Sequence, residues 1–361
     1  MSEGMETGRK RIAIIPGDGI GKEVIPEAVK VLKAAAAAGR REVALTEFDW
    51  GADRYLRDGT SLPPDAVEMF QRDFDAILLG AMGDPRVPTN QHAAGILLGL
   101  RFKLDLYVNM RPCVLFDRRY TPLKDRSETD VNFMVFRENT EGLYVGMGGF
   151  FRKGTAEEIA TQEDVNTRRG VERIIRYAFE YARQSKLTRV CMSDKSNALT
   201  FGHDLWQRVF KRVRAEYPEI EASHQYIDNL LLQMVRDPSQ FQVIVTCNLF
   251  GDIASDVGAG LAGGLGLAPS GNIHPGKVSL FEPVHGSAPN IAGKNIANPM
   301  GAILAAGMMC EYLGWAAEAK AIENAVRVAL REGKTPAELG GPLGTRDIGD
   351  FIADAIGRAG V

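Results

Sequence analysis

An α/β fold on a largely parallel or mixed sheet is the architecture this sequence predicts. Apolar runs of four to six residues recur along the chain. They alternate with segments whose apolar positions repeat at helical spacing. At 361 residues, with 45% hydrophobic and 25% charged content, the chain is ordinary for a globular protein and long enough for one large or two medium domains.

The elements follow in order. Residues 11–15 form an apolar run closed by Pro16 and Gly17, which reads as a buried strand. Residues 22–37 place Val24, Ile25, Ala28, Val29, Val31 and Leu32 mainly on one helical side. Further strands are expected at 75–80, 131–136, 189–193 and 243–246, with amphipathic helices at 171–184 and 204–215. Residues 299–320 read as one long Ala/Met-rich helix started by Pro299. The basic cluster at 117–120 reads as a loop. Glycine is dense over 257–276, which suits a packing and connection region; boundaries are expected near it and near Pro112.

Composition excludes several functions. The net charge of −3 offers no basic domain for a phosphate backbone, so no nucleic acid is expected. Cys113, Cys191, Cys247 and Cys310 are scattered without C-x-x-C, which disfavours disulfides and zinc fingers; Cys191 and Cys247 read as buried thiols. The N-terminus is polar, without a secretory apolar core, and no apolar window suits a membrane span. A cytoplasmic protein is expected.

Chemistry is suggested by four constellations. NLFGDIASD, from Asn248 to Asp256, sets Asp252 and Asp256 one helical turn apart. Two like charges so placed destabilise a helix unless a cation joins them, although a solvated acidic face is the plainer alternative. Asp228 is a third acid, and no histidine shows zinc spacing. Any metal is therefore expected to be hard and oxygen-bound, Mg²⁺ or Mn²⁺. Arg101, Arg111 and Arg137 suit a di- or tricarboxylate, or else separate structural ion pairs. Leu97 and Leu98 beside them are core, or a wall for an alkyl substituent. Lys195 and Tyr144 can serve as base and acid, or as a solvated lysine and a packed aromatic. GDGIG, from Gly17 to Gly21, follows the first strand without the Rossmann spacing, so it is a tight turn that can face a ligand. Residues 282–299 read as a long ordered loop in which His285, Asn290 and Asn298 can hydrogen-bond an adenosine.

In combination, five stretches resemble the β-decarboxylating dehydrogenases that act on 3-isopropylmalate, isocitrate, homoisocitrate and tartrate or D-malate. These are PGDGIG from Pro16, the arginine stretch from Leu100 to Pro112, SDKSN from Ser193, NLFGDIASD from Asn248, and EPVHGSAP from Glu282. The resemblance runs from about residue 10 to 358, and GILLGLRFKLDLYVNMRP from Gly95 looks most like the 3-isopropylmalate branch.

The resemblance implies an isopropylmalate dehydrogenase-like two-domain α/β fold with a large mixed sheet, not a Rossmann arrangement. Residues 1–108 and 262–361 would form a discontinuous first domain with most cofactor-binding loops. Residues 109–261 would form a second, with dimer interface and arm. It implies a homodimer whose active site is shared, with Lys195 and Asp228 reaching the neighbouring subunit's Asp252 and Asp256. Metal would be held by Asp228, Asp252 and Asp256. Leu97, Leu98, Arg101, Arg111, Arg137 and Asp228 would contact substrate, with Lys195 and Tyr144 catalytic. NAD would contact Ile20, Glu282, His285, Gly286, Ser287, Ala288, Asn290 and Asn298. The implied reaction oxidises and decarboxylates 3-isopropylmalate to 4-methyl-2-oxopentanoate with reduction of NAD, a step of leucine biosynthesis. Tartrate/D-malate, isocitrate or homoisocitrate substrates are the alternatives, and a non-catalytic regulatory subunit is the alternative of another class.

Two positions depart from the pattern. Asn290 stands where NAD-using relatives commonly carry an acid; it keeps an acceptor but loses the repulsion of a 2′-phosphate. Ala93 and Ala94 occupy a region where isopropylmalate enzymes often carry an acidic recognition residue.

Overall fold

The structure, a computed structural model, describes residues 8–359. The polar residues 1–7, and residues 360–361 at the end of the expected first domain, lie outside the described residues. In chain order the strands are β1 (Lys10–Ile15), β2 (Val43–Glu47), β3 (Ala76–Leu79), β4 (Val108–Val114), β5 (Asn132–Glu138), β6 (Gly148–Phe151), β7 (Ile159–Gln162), β8 (Arg189–Asp194), β9 (Glu221–Tyr226), β10 (Val243–Thr246), β11 (Pro269–Ile273) and β12 (Ser279–Pro283). The helices are α1 (Gly21–Ala38), α2 (Ala52–Asp58), α3 (Ala66–Asp73), α4 (Gln91–Lys103), α5 (Arg168–Gln184), α6 (Gly202–Arg214), α7 (Ile227–Arg236), α8 (Asn248–Leu261), α9 (Met300–Tyr312), α10 (Ala316–Arg331) and α11 (Thr345–Ala359).

Contacts divide the chain into two units. One runs through Leu106, takes Leu115–Glu128 and resumes at Ala259; the other comprises Tyr107–Val114 and Thr129–Gly258. Residues 115–128, which the sequence reading gave to the second domain, side with the first unit. Arg119 and the Tyr120 hydroxyl donate to the Leu330 carbonyl, and the Arg327 guanidinium lies over the Phe116 ring.

In the first unit the strand order is β2-β1-β3-β12-β11, parallel except for the antiparallel β11–β12 pair. β3 is buried throughout, and β1 over its last four residues, as apolar strands covered on both faces must be. The single helix expected over 299–320 is instead α9 and α10. Gly314 turns left-handed at φ +83°, Trp315 N–H donates to the Cys310 carbonyl, and Gly314 N–H to that of Glu311. This pair of bonds ends α9 in a Schellman motif.

In the second unit the order is β4-β5-β10-β8-β9, with only β4 antiparallel to its neighbour. α5 turns Ile174, Ile175, Ala178 and Ala182 inward and packs on β5, β8 and β10. Its start is capped by Thr167, whose side chain accepts from Gly170 N–H at 3.0 Å. The register sets Arg137 of β5 and Ser193 of β8 level with Thr246 of β10. Arg137, Lys195 and Asn248 thus gather where three neighbouring parallel strands end, the usual place for a site in an open sheet. The hairpin β6–β7 is exposed throughout, with Phe150 and Phe151 both bare.

Candidate active site

In the second unit a carboxylate cluster forms on α8. Asp252 Oδ1 accepts from Arg111 Nη1 at 3.1 Å and from Arg137 Nη1, while its Oδ2 accepts from the Tyr144 hydroxyl at 2.8 Å. Arg137 is buried, donates from Nε to Asn248 Oδ1 at 2.9 Å, and stacks its guanidinium 5.0 Å from the Tyr144 ring centre. Arg111 also reaches Ser255 Oγ at 2.8 Å and lies 3.6 Å from Asp256. The i,i+4 acids therefore share one face. Burial pushes the Asp256 carboxyl above its ordinary range; Arg111 draws it down, and the negative charge of Asp252 pushes it up again.

Lys195 follows β8 and hydrogen-bonds Asp228 at the start of α7. The Asp228 carboxyl is held below its ordinary range mainly by that lysine. Among the described residues no three His, Cys, Asp or Glu side chains are grouped to hold an ion. Asp228 is thus paired with Lys195 within the chain and does not complete a trio with Asp252 and Asp256. The donors fit a hard divalent cation all the same. They are all oxygens, and two carboxylates one helical turn apart gain from a cation between them.

In the first unit the loops after β1, β2 and β3 are tied by one buried acid. Asp18 Oδ1 accepts from Ala52 N–H at 2.7 Å; Oδ2 accepts from Gly83 N–H at 2.9 Å and meets His92 Nε2 at 2.8 Å. Ile20 N–H donates to the Ser287 carbonyl at 2.9 Å. Gly19 has φ +51°, and a Cβ there would lie 2.0 Å from the same carbonyl, so only glycine fits. His285 Nδ1 meets the Gly286 carbonyl at 3.0 Å, while its buried Nε2 has no protein partner. Burial holds that imidazole below its ordinary pKa, which favours a neutral ring with Nε2 as an acceptor. An orphaned acceptor beside exposed Gly286 and Asn290 fits a ligand with N–H or O–H donors, as an adenosine has.

Other expected residues are already engaged. Arg101 and Glu282, assigned to substrate and cofactor respectively, bond each other at 3.0 Å, and Asn272 also donates to Glu282 at 2.8 Å. Asn298 is buried, donates to Glu338 and accepts from Met300 N–H, so it organises the start of α9. Leu97 and Leu98 are half-buried, Leu97 against the core of its unit. Ala288 sits at φ +40°. All four cysteines are free and buried, and burial pushes the Cys113 and Cys247 thiols up to about 12. No helix among the described residues is long and apolar enough to cross a membrane.

Sequence reading missed Asp18, His92, Asn248, Ser255 and His203. Asn248 was within reach, since it precedes Asp252 by the same four-residue step that links Asp252 to Asp256. Asp18, His92 and Ser255 work through contacts distant in sequence, and His203 through a backbone N–H eight residues away.

The model of the isocitrate/isopropylmalate dehydrogenase family matches residues 11–352. The 3-isopropylmalate dehydrogenase of Thermobifida fusca is 48% identical over 352 residues, 97% of this chain and 98% of that one. The enzyme of the same name from Corynebacterium kroppenstedtii is 48% identical, covering 96% of this chain and 99% of its own. The crystal structure of isocitrate dehydrogenase from Methylococcus capsulatus superposes with TM-score 0.88 at 38% identity, covering 96% of this chain and 99% of that one. The chain belongs to the isocitrate/isopropylmalate dehydrogenase family and is an oxidative, decarboxylating dehydrogenase.

Proposed function

We propose that this enzyme oxidises and decarboxylates 3-isopropylmalate with reduction of NAD, a step of leucine biosynthesis. The observation that carries the proposal is the Asp252 carboxylate, held by Arg111, Arg137 and Tyr144 one turn from Asp256. The relatives at 48% identity named 3-isopropylmalate dehydrogenase point to the same substrate.

Asp252 and Asp256, with Asp228 from a second copy, would hold Mg²⁺ or Mn²⁺. When bound, the ion supplies Lewis-acid polarisation of the substrate's hydroxyl and carbonyl oxygen. The loops at Ile20 and at 282–290, with Asn298, would hold NAD, which would supply the hydride acceptor. Lys195, as the neutral amine, takes the hydroxyl proton and becomes the ammonium; its bond to Asp228 keeps the head oriented. Arg101, Arg111 and Arg137 hold carboxylates, and Tyr144 supplies a proton to the carbon left by CO₂. Arg137 over the Tyr144 ring fixes the phenol's orientation. Leu97 and Leu98 form the wall against the isopropyl group.

A homodimer with shared sites is part of the reading. Its support is that Lys195 and Asp228 pair apart from any three-acid group, and that apolar side chains stand bare on β6–β7, α7 and α8: Phe150, Ile159, Leu232, Val235 and Ile253.

A tartrate or D-malate enzyme is the second reading, favoured by Ala93 and Ala94 on α4. Steady-state NADH formation with Mn²⁺ on 3-isopropylmalate, isocitrate, D-malate and tartrate decides. The highest kcat/KM on 3-isopropylmalate supports the proposal. Preference for isocitrate removes the hydrophobic-wall argument, and no turnover of any of the four points to a regulatory subunit.

A further inference from the structure

We propose that His203 is a positioning residue for Lys195: its neutral imidazole accepts the Lys195 backbone N–H and fixes the turn that presents the lysine. The inference rests on the catalytic role given to Lys195 above.

The geometry is specific to that residue. His203 Nδ1 lies 2.8 Å from Lys195 N, so Nδ1 must carry the lone pair and the ring proton must sit on Nε2. Nε2 has no hydrogen-bond partner and lies 3.7 Å from Asp164 Oδ2. The side chain is 1% exposed, and burial pushes its pKa down, which keeps Nδ1 an acceptor. The ring also stands edge-on to Phe250 at 5.5 Å and 76°, two residues before Asp252 on α8. His203 therefore wedges between the Lys195 turn and the helix that carries the acid pair.

The turn is closed on its other side as well. The Lys195 carbonyl accepts from Ala198 and Leu199 N–H, and Leu199 in turn accepts from the backbone N–H of His203. Buried Asp194 accepts from Ser196 N–H at 3.0 Å and Gln207 at 2.7 Å. What remains for His203 is the one backbone donor of Lys195 itself. Without it a part-buried N–H loses its acceptor and the lysine's anchor point shifts. A displacement of about 1 Å at a reacting group costs as much as about 100-fold in rate.

Two variants separate positioning from bulk packing. His203→Leu fills the space without an acceptor. His203→Asn places an amide oxygen close to where Nδ1 stood. Steady-state kinetics with Mn²⁺, NAD and 3-isopropylmalate are read together with hydrogen exchange at the Lys195 amide, on protein whose thermal unfolding shows it folded. His203→Leu is expected to lower kcat about 10- to 100-fold, leave the KM for NAD within about threefold, and speed exchange at Lys195. His203→Asn is expected to recover most of the rate and the protection. Unchanged kcat in His203→Leu, a Lys195 amide that stays protected in it, or no recovery in His203→Asn overturns the proposal. If the wild-type enzyme turns over none of the four hydroxy acids, the proposed function fails, while the exchange pair still decides whether His203 holds the turn.

Discussion

The loops around Asp18 in the first unit and the acid pair of α8 in the second are built on opposite plans. Asp18 is buried and spends both oxygens on this chain: two backbone N–H groups and His92. Asp252 also spends both oxygens, on Arg111, Arg137 and Tyr144, but its neighbour Asp256 is half-exposed and leaves charge open to solvent. One region is finished by its own chain and is ready to receive a ligand as a shaped surface. In the function proposed above, the other is a charged half that a cation and a second copy would complete. A finished scaffold responds to substitution through stability and cofactor affinity. An unfinished site responds through turnover.

The largest effects are expected in the unfinished region. Lys195→Met and Asp252→Asn should each lower kcat about 10²- to 10⁴-fold while the thermal midpoint moves little, as measured by NADH formation and by unfolding. A midpoint that falls with kcat would make the cluster a structural one.

Gly19→Ala tests the finished region. Left-handed backbone and collision with the Ser287 carbonyl should cost about 1–3 kcal/mol of stability and raise the KM for NAD more than they lower kcat. Denaturant unfolding and paired kinetics read both. If kcat alone fell, the loop would belong with the chemistry rather than with the scaffold.

Asn290 sharpens the comparison, because it is exposed. Asn290→Asp should widen the preference for NAD over NADP about tenfold, near 1.4 kcal/mol, through repulsion of the 2′-phosphate. Equal efficiency with the two cofactors in the parent protein would overturn the choice of NAD.

The smallest effect is one of pH. The Arg86 guanidinium beside Asp84 holds that carboxyl down to about 2 from an ordinary 3.8. A depressed carboxyl adds stability that is present above the unfolded value and lost as pH falls toward the folded one. Asp84→Asn should therefore lower the thermal midpoint slightly at pH 7 and flatten its decline between about pH 4 and 2. A decline of unchanged slope would show that the pair contributes nothing.

What the sequence disclosed follows from which signals are local. β1, β3, β5, β8 and β10 stood out because strands buried on both faces are continuous apolar runs. β11 escaped, since it lies in the glycine-dense stretch that reads as a packing and connection region. β9 escaped because its residues are mostly polar, as an edge strand's can be. The break between α9 and α10 was hidden by alanines that continue past Gly314. At the site, Asp252 and Asp256 were legible from helical spacing alone. That Tyr144 would donate to Asp252, across 108 residues, was not. Nor was the bond between Arg101 and Glu282, which lie 181 residues apart. A lone histidine such as His203 carries no signal until folding sets it against a particular N–H.

Complementation between subunits tests the central claim most directly. Lys195→Met and Asp252→Asn proteins, each inactive, are unfolded together, refolded, and assayed for NADH formation from 3-isopropylmalate with Mn²⁺. If two copies share each site, a mixed dimer concentrates both lesions in one site and leaves the other intact, so activity returns to a sizeable fraction of refolded wild type. If the mixture stays silent while wild type treated the same way recovers, Lys195 and Asp252 serve within one chain and the account is wrong.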